Sequence, residues 1–297
     1  LILADRPGQE LRIQAIVTQG ATGVVRATAG GLLGIGNGGV VSGGLLTTDT
    51  DGRIVFQAGT GTLEGAAHIT GDIDVLNSHA MRIDAGGVTN DGTITLNSNQ
   101  GGFTTEIRVA AETAILGSGV IDLNVADANT DFNDATLTTD AVTATHGPGH
   151  SITGKGRITG TWINQGLIQA DRDGQELRIQ ADIVQSATGV VGATDGGVLG
   201  IASGGRVSGG SVVTSSGGSV QATSGTGTVD GGLANQGDMG VRTGQTLQVG
   251  VGGVVNDGLI SVNSDQGGFT TDLRVIADAT VSGGGAVDLN VDDGNSD

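Results

Sequence analysis

The chain has 297 residues, of which 58 are Gly, 2 are Pro and none is Cys; aromatics make up 2% and the net charge is −18. Without Cys there can be no disulfide, Cys-held metal or thiol nucleophile, and the acidic balance argues against nucleic-acid binding, which needs a basic footprint. No apolar run approaches the roughly 18 residues of a membrane-spanning helix, and the scarcity of rings points to a narrow core of stacked Ile, Val, Leu and Ala.

From Leu1 the chain reads LILADRPGQELRIQA, and from Leu167 it reads LIQADRDGQELRIQA. Residues 1–131 align with 167–297 without a gap, and just over half of the pairs are identical. The sequence is therefore one full copy of a 166-residue repeat, 1–166, followed by a partial copy, 167–297. Leu1 and Asp297 both fall mid-frame with no polar capping repeat, so we expect an excerpt from a longer array.

A shorter frame, Gly-x-h-x-h with h apolar or Ala, runs through both copies. It begins at Gly23, Gly52, Gly71, Gly92 and Gly119, then at Gly166, Gly189, Gly218, Gly237, Gly258 and Gly285. Such alternation places both h side chains on one face of a strand. A second frame often follows: Leu11-x-Ile13, Leu33-x-Ile35, Met81-x-Ile83 and Ile107-x-Val109, repeated at Leu177, Leu199, Leu247 and Leu273. Gly, Asn, Asp and Ser clusters between the frames suit sharp corners. No helical periodicity of useful length occurs. Seven coils per 166 residues gives about 24 residues per coil and about 12 coils in all. The pattern predicts an all-β fold, a right-handed parallel β-helix solenoid running continuously over 1–297.

Four corner segments share h-x-Asn-x-Gly-x-h: Trp162 to Ala170, Val88 to Leu96, Val254 to Val262 and Leu233 to Val241. In this the chain resembles the β-helical passenger regions of bacterial autotransporters and filamentous-haemagglutinin-like adhesins, over nearly its whole length. The resemblance implies secretion to the bacterial cell surface and a structural or adhesive role. Ile69-Thr70-Gly71 departs from the motif, whereas the second copy has Asn235-Gln236-Gly237 at that place.

Candidate interface residues are Arg12, Arg82, Arg108, Arg178 and Arg274, all at the central position of the second frame and so pointing outward. Such a stripe could receive an anionic glycan or the acidic loops of a neighbouring fibre. Pairing with local carboxylates such as Asp84, Glu106 and Asp272 would explain it as well. Asp127, Asn129 and Asp131, with their counterparts Asp293, Asn295 and Asp297, form an alternating oxygen-rich set able to coordinate Ca²⁺, though neither run has a full EF-hand loop. His146 and His150 flank Gly147-Pro148-Gly149 in an expected turn.

No catalytic constellation stands out, because most Asp and Arg residues recur every 166 residues while an active site is a single cluster. The expected function is thus a non-enzymatic, structural or adhesive extracellular fibre segment. It would require no cofactor, would self-associate with neighbouring fibres or further repeats, and would be able to meet a surface glycan. A carbohydrate-binding or carbohydrate-cleaving β-helix resembling polysaccharide lyases is the alternative.

Overall fold

The computed structural model describes residues 1–49, 51–276 and 278–291. It is all-β. Short parallel strands stack as a β-solenoid of about 12 turns in total, and the one helical element among the described residues is a 3₁₀ turn, Phe132–Asp134. The chain divides into two compact units, Leu1–Thr161 and Trp162–Asp297.

In the first unit each coil contributes three strands, and each strand pairs with its equivalent one coil later. One ladder runs through Ile2–Ala4, Val24–Ala27, Leu45–Thr48, Ala67–Ile69, Val88–Asn90, Ala114–Leu116 and Thr143–His146. A second runs through Glu10–Ile13, Leu32–Ile35, Arg53–Phe56, Ile73–Val75, Thr93–Leu96 and Val120–Asn124. A third runs through Ile16–Thr18, Val40–Ser42, Thr60–Glu64, Ala80–Ile83, Glu106–Val109 and Thr136–Thr139.

The register converts alternation into columns. Along the second ladder Leu33, Ile54, Ile73, Ile94 and Ile121 lie one above another, and Ile35, Phe56, Val75, Leu96 and Leu123 form the adjoining column. All ten are buried, each contributing on the order of 1.5–3 kcal/mol of transfer free energy. Of the residues between them Asp74, Thr95 and Asp122 are part-exposed, so there the period of two separates core from surface, whereas Gly34 and Val55 are buried as well.

The two sequence frames do not correspond to two ladders. Leu33 of the second frame stacks under Ile54 of the first, while Val25 of the first frame belongs to another wall. Alternation identifies a strand's inner face but carries no information about which wall of a coil the strand forms.

In the second unit the long strand Glu176–Gln185 serves two walls. Its first half pairs with Val198–Ala202 and its second half with Arg206–Ser208. Leu177, Leu199, Val220, Met239 and Ile260 form one buried column. Ile183, Val207, Val229 and Val249 form another.

Two side-chain devices hold the corners. The leading Gly of the first frame is needed for close approach: a Cβ on Gly92 would lie 2.1 Å from the Gly71 carbonyl oxygen, and one on Gly258 would lie 2.2 Å from that of Gly237. The motif Asn closes the turn that follows. Asn90 Oδ1 accepts the Gly92 N–H at 3.2 Å while its Nδ2 donates to Val120 O on the next coil, also at 3.2 Å. Asn164 and Asn235 repeat the arrangement with Gly166 and Val190, and with Gly237 and Leu259. Buried amide groups so paired satisfy main-chain donors and acceptors that the corner would otherwise strand.

Candidate functional site

Arg12, Arg82, Arg108, Arg178 and Arg274 all project from strands, and each has a carboxylate two residues away on the same strand face, as alternation requires. Arg12 pairs with Glu10 at 2.8 Å, Arg82 with Asp84 at 2.8 Å and Arg108 with Glu106 at 3.0 Å. Arg178 pairs with Glu176 at 2.9 Å and Arg274 with Asp272 at 2.7 Å.

In the first unit Arg82 and Arg108 are brought together, facing each other in register on neighbouring coils. Arg12 lies on a different ladder of the same unit, opposite Gly34. In the second unit Arg178 faces Gly200 and Arg274 faces Gln248, on separate ladders. Within each unit the frame recurs on more than one wall.

Two stacked guanidinium groups repel unless an anion lies between them. Asp140 supplies it, with Oδ1 2.6 Å from Arg108 Nη2 and Oδ2 3.6 Å from Arg82 Nη1. Asp140 and then Glu106 hold the Arg108 guanidinium above its ordinary range. The result is a small network of compensated charge, in which each exposed pair is worth little. A comparable network in the second unit was not singled out by the frame: Arg206 bridges Asp182 and Asp230, at 2.8 Å to each.

Of the Ca²⁺ candidates, Asp293, Asn295 and Asp297 lie outside the described residues. Asp127, Asn129 and Asp131 occupy the loop before the 3₁₀ turn. There Asn129 Oδ1 accepts the Asp131 N–H and Asp131 Oδ1 accepts the Asn133 N–H, each at 2.9 Å. Lys155, almost fully buried, donates from Nζ to Ala126 O at 3.0 Å and Asp127 O at 2.9 Å. The amine thus places a positive charge against the loop carbonyls, and two of the three candidate side chains are engaged in forming the loop.

Histidines lie in two environments. His68 is part-exposed, with Nε2 2.8 Å from Asp91 Oδ2, and Asp91 Oδ1 accepts from both Ser118 N and Ser118 Oγ. These contacts, the Ser118 backbone N–H foremost, hold the Asp91 carboxyl below its ordinary range. Ser, Asp and His are all present, but the hydroxyl is bound to the carboxylate rather than to the imidazole. A hydrolytic triad needs the base on the nucleophile, so this arrangement braces a turn.

His146 and His150, by contrast, are fully buried and edge-on, with ring centroids 5.1 Å apart. His146 Nε2 and His150 Nδ1 are 3.0 Å apart, and His150 Nε2 is 3.0 Å from Asn90 Nδ2. With Asn90 Oδ1 accepting from Gly92, the amide donates to His150 Nε2, which fixes the Nδ1–H tautomer on His150 and makes His146 Nε2 an acceptor. Burial, and then the neighbouring His146, lowers the His150 pKa to about 3. The four-residue spacing in a Gly-Pro-Gly turn gives no sign of this burial, because the partner Asn90 is 60 residues away.

A further surface feature escapes frame-based reading. Phe103 and Phe269, equivalent residues of the two copies, stand out from their units at 68% and 76% exposure. The local sequence could have revealed them: Gly-Gly-Phe-Thr-Thr is identical in both copies and holds two of the chain's 4 Phe residues.

Comparison of the chain with family models, curated proteins and solved structures gave no match.

Proposed function

We propose that the chain is a segment of an extracellular fibre or stalk on a bacterial surface, with a structural or adhesive role and the capacity to associate laterally with its own kind. The observation that carries this reading is the use made of the side chains. Inward positions are spent on aliphatic columns, and most outward arginines are neutralised by carboxylates of their own or the adjacent strand. Such an arrangement invests the sequence in stacking, and stacked repeats gain stability from nearest-neighbour interfaces.

The net charge of −18 would hold like chains apart at low salt and let divalent cations draw them together. Electron microscopy of the intact chain, with Ca²⁺ and with chelator, tests the reading. Elongated particles that bundle in Ca²⁺ support it; rounded particles, the same in both conditions, overturn it. The alternative, a polysaccharide-cleaving β-helix, is separated by a depolymerisation assay on acidic and neutral polysaccharides, where released oligosaccharide would favour the enzyme.

A further inference from the structure

Residues 97–109 and 263–275 agree at 10 of 13 positions, and their loops are built alike. Each opens on an Asn in the left-handed region, Asn97 at φ 61° and Asn263 at φ 59°. Asn97 closes the loop on Gly101 by a reciprocal pair, Nδ2 to Gly101 O and Gly101 N to Oδ1, both 3.0 Å. Asn263 does the same with Gly267 at 3.0 and 3.1 Å.

The backbone of each Phe is then tied down from the preceding coil. Phe103 N donates to Asn77 Oδ1 at 2.9 Å, and Thr105 Oγ1 donates to Phe103 O at 3.1 Å while accepting from Ser78 N at 3.1 Å. In the second unit Phe269 N donates to Thr243 Oγ1 at 3.3 Å. Thr271 Oγ1 donates to Phe269 O and accepts from Gly244 N, both at 3.0 Å. A single exposed apolar residue is ordinary. Two equivalent rings, held at the backbone by the same set of bonds and left bare at the side chain, are a construction.

The surroundings indicate what such a ring would meet. Gln100 and Thr104 flank Phe103, Gln266 and Thr270 flank Phe269, and all four are exposed. Residues 97–105 carry no charge in a chain whose net charge is −18. The second copy has one charged residue here, Asp265, and its Oδ1 is taken by Thr243 N at 2.7 Å, just as Asn99 Oδ1 is taken by Asn77 N in the first. The segments beside each ring thus carry exposed amide and hydroxyl groups, with Gln100 Nε2 donating to Asn124 Oδ1 at 3.1 Å and its Oε1 left as an acceptor. A second copy of the chain would bring the same −18 charge toward it.

We propose that Phe103 and Phe269, each with its flanking Gln and Thr, are sites for an uncharged carbohydrate, the sugar's C–H face lying on the ring and its hydroxyls bonding to the amide and hydroxyl rim. This goes beyond the fibre reading, since a shaft lacking these contacts is still a shaft. A polymer able to reach both loops would bind more tightly than either site alone.

Affinity electrophoresis of the intact chain in gels containing dextran, laminarin, galactomannan or polygalacturonate tests the proposal. Retardation by at least one neutral polymer, unaffected by 0.5 M salt, is expected. Phe103→Ala and Phe269→Ala should each weaken it about tenfold and the double variant should abolish it, with unchanged circular dichroism and Phe103→Trp retaining binding. Absence of retardation by all three neutral polymers overturns the proposal, as does retention in the double variant. Salt-sensitive retardation by polygalacturonate alone would move the ligand to the arginines. Phe-dependent self-association in sedimentation, without retardation, would assign the rings to a second copy.

Discussion

Replacing Asn235 with Ile installs at one corner of the second unit the residue that the first copy carries at the equivalent position, Ile69. Asn235 Oδ1 accepts the Gly237 N–H at 3.2 Å, and its Nδ2 donates to Leu259 O at 3.2 Å and to Asn256 Oδ1 at 2.7 Å. The substitution therefore removes three hydrogen bonds at a fully buried site, at about 1 kcal/mol each. The added apolar burial returns about 1 kcal/mol, leaving a net loss of about 2 kcal/mol. The loss should be local, because solenoid stability is a sum over neighbouring coils. Hydrogen exchange followed by mass spectrometry should show the Gly237 amide exchanging roughly 30-fold faster, with amides of the first unit unchanged. Native-rate exchange at Gly237 would refute the reasoning that this Asn, rather than apolar stacking, holds the corner.

Acid should act through His150. Its folded pKa, about 3, lies below its ordinary value of 6.5, so the unfolded chain takes up the proton first. Stability is then full above about pH 6.5 and falls toward pH 3 by about 1.4 kcal/mol per pH unit. Urea midpoints measured from pH 7 to pH 4 should drop less steeply in His150→Gln than in the parent; equal slopes would remove His150 from the account. Gly92→Ala drives a Cβ to 2.1 Å from a backbone oxygen and should cost at least about 3 kcal/mol. Gly20→Ala, with nothing within 4 Å, should stay within about 0.5 kcal/mol, and similar melting temperatures for the two would contradict the close-approach argument. Asp140→Asn leaves Arg82 and Arg108 stacked without their shared anion. A loss of about 0.5–1 kcal/mol that disappears in high salt is expected in denaturation curves.

Much of the fold was legible because its physics is periodic. Gly-x-h-x-h carries the strand period and the close corner at once, and Asn-x-Gly carries the turn that closes it, so strand identity and approximate coil length follow from the letters. Assignment to walls does not follow. Leu33 and Ile54 share a column although their frames differ, because which wall a strand forms depends on coil length, and successive coils along the second ladder vary between 19 and 31 residues. Candidate surface chemistry was less legible for the same reason. The frame marked Arg12 and Arg108 as equivalent, yet the coils place them on different walls. Asp140, which completes the Arg82–Arg108 cluster, lies 32 residues beyond Arg108 and outside either frame. Buried His150 likewise takes its partner Asn90 from 60 residues away. Phe103 and Phe269 could have been found from Gly-Gly-Phe-Thr-Thr, a segment identical in both copies that sets an aromatic ring outside either frame.

Parallel, in-register stacking of the coils underlies every inference above, and the absence of native Cys allows a direct test. Asp74 and Thr95 face each other on adjacent coils, about 4.8 Å apart at Cα, within the span a disulfide bridges. Thr93, two residues earlier, lies about 8 Å from Asp74 by the same strand geometry. Under mild oxidation Asp74→Cys/Thr95→Cys should form an intramolecular disulfide without loss of stability, while Asp74→Cys/Thr93→Cys remains reduced. Efficient closure of the offset pair, with the facing pair left as free thiols, would contradict the stacking.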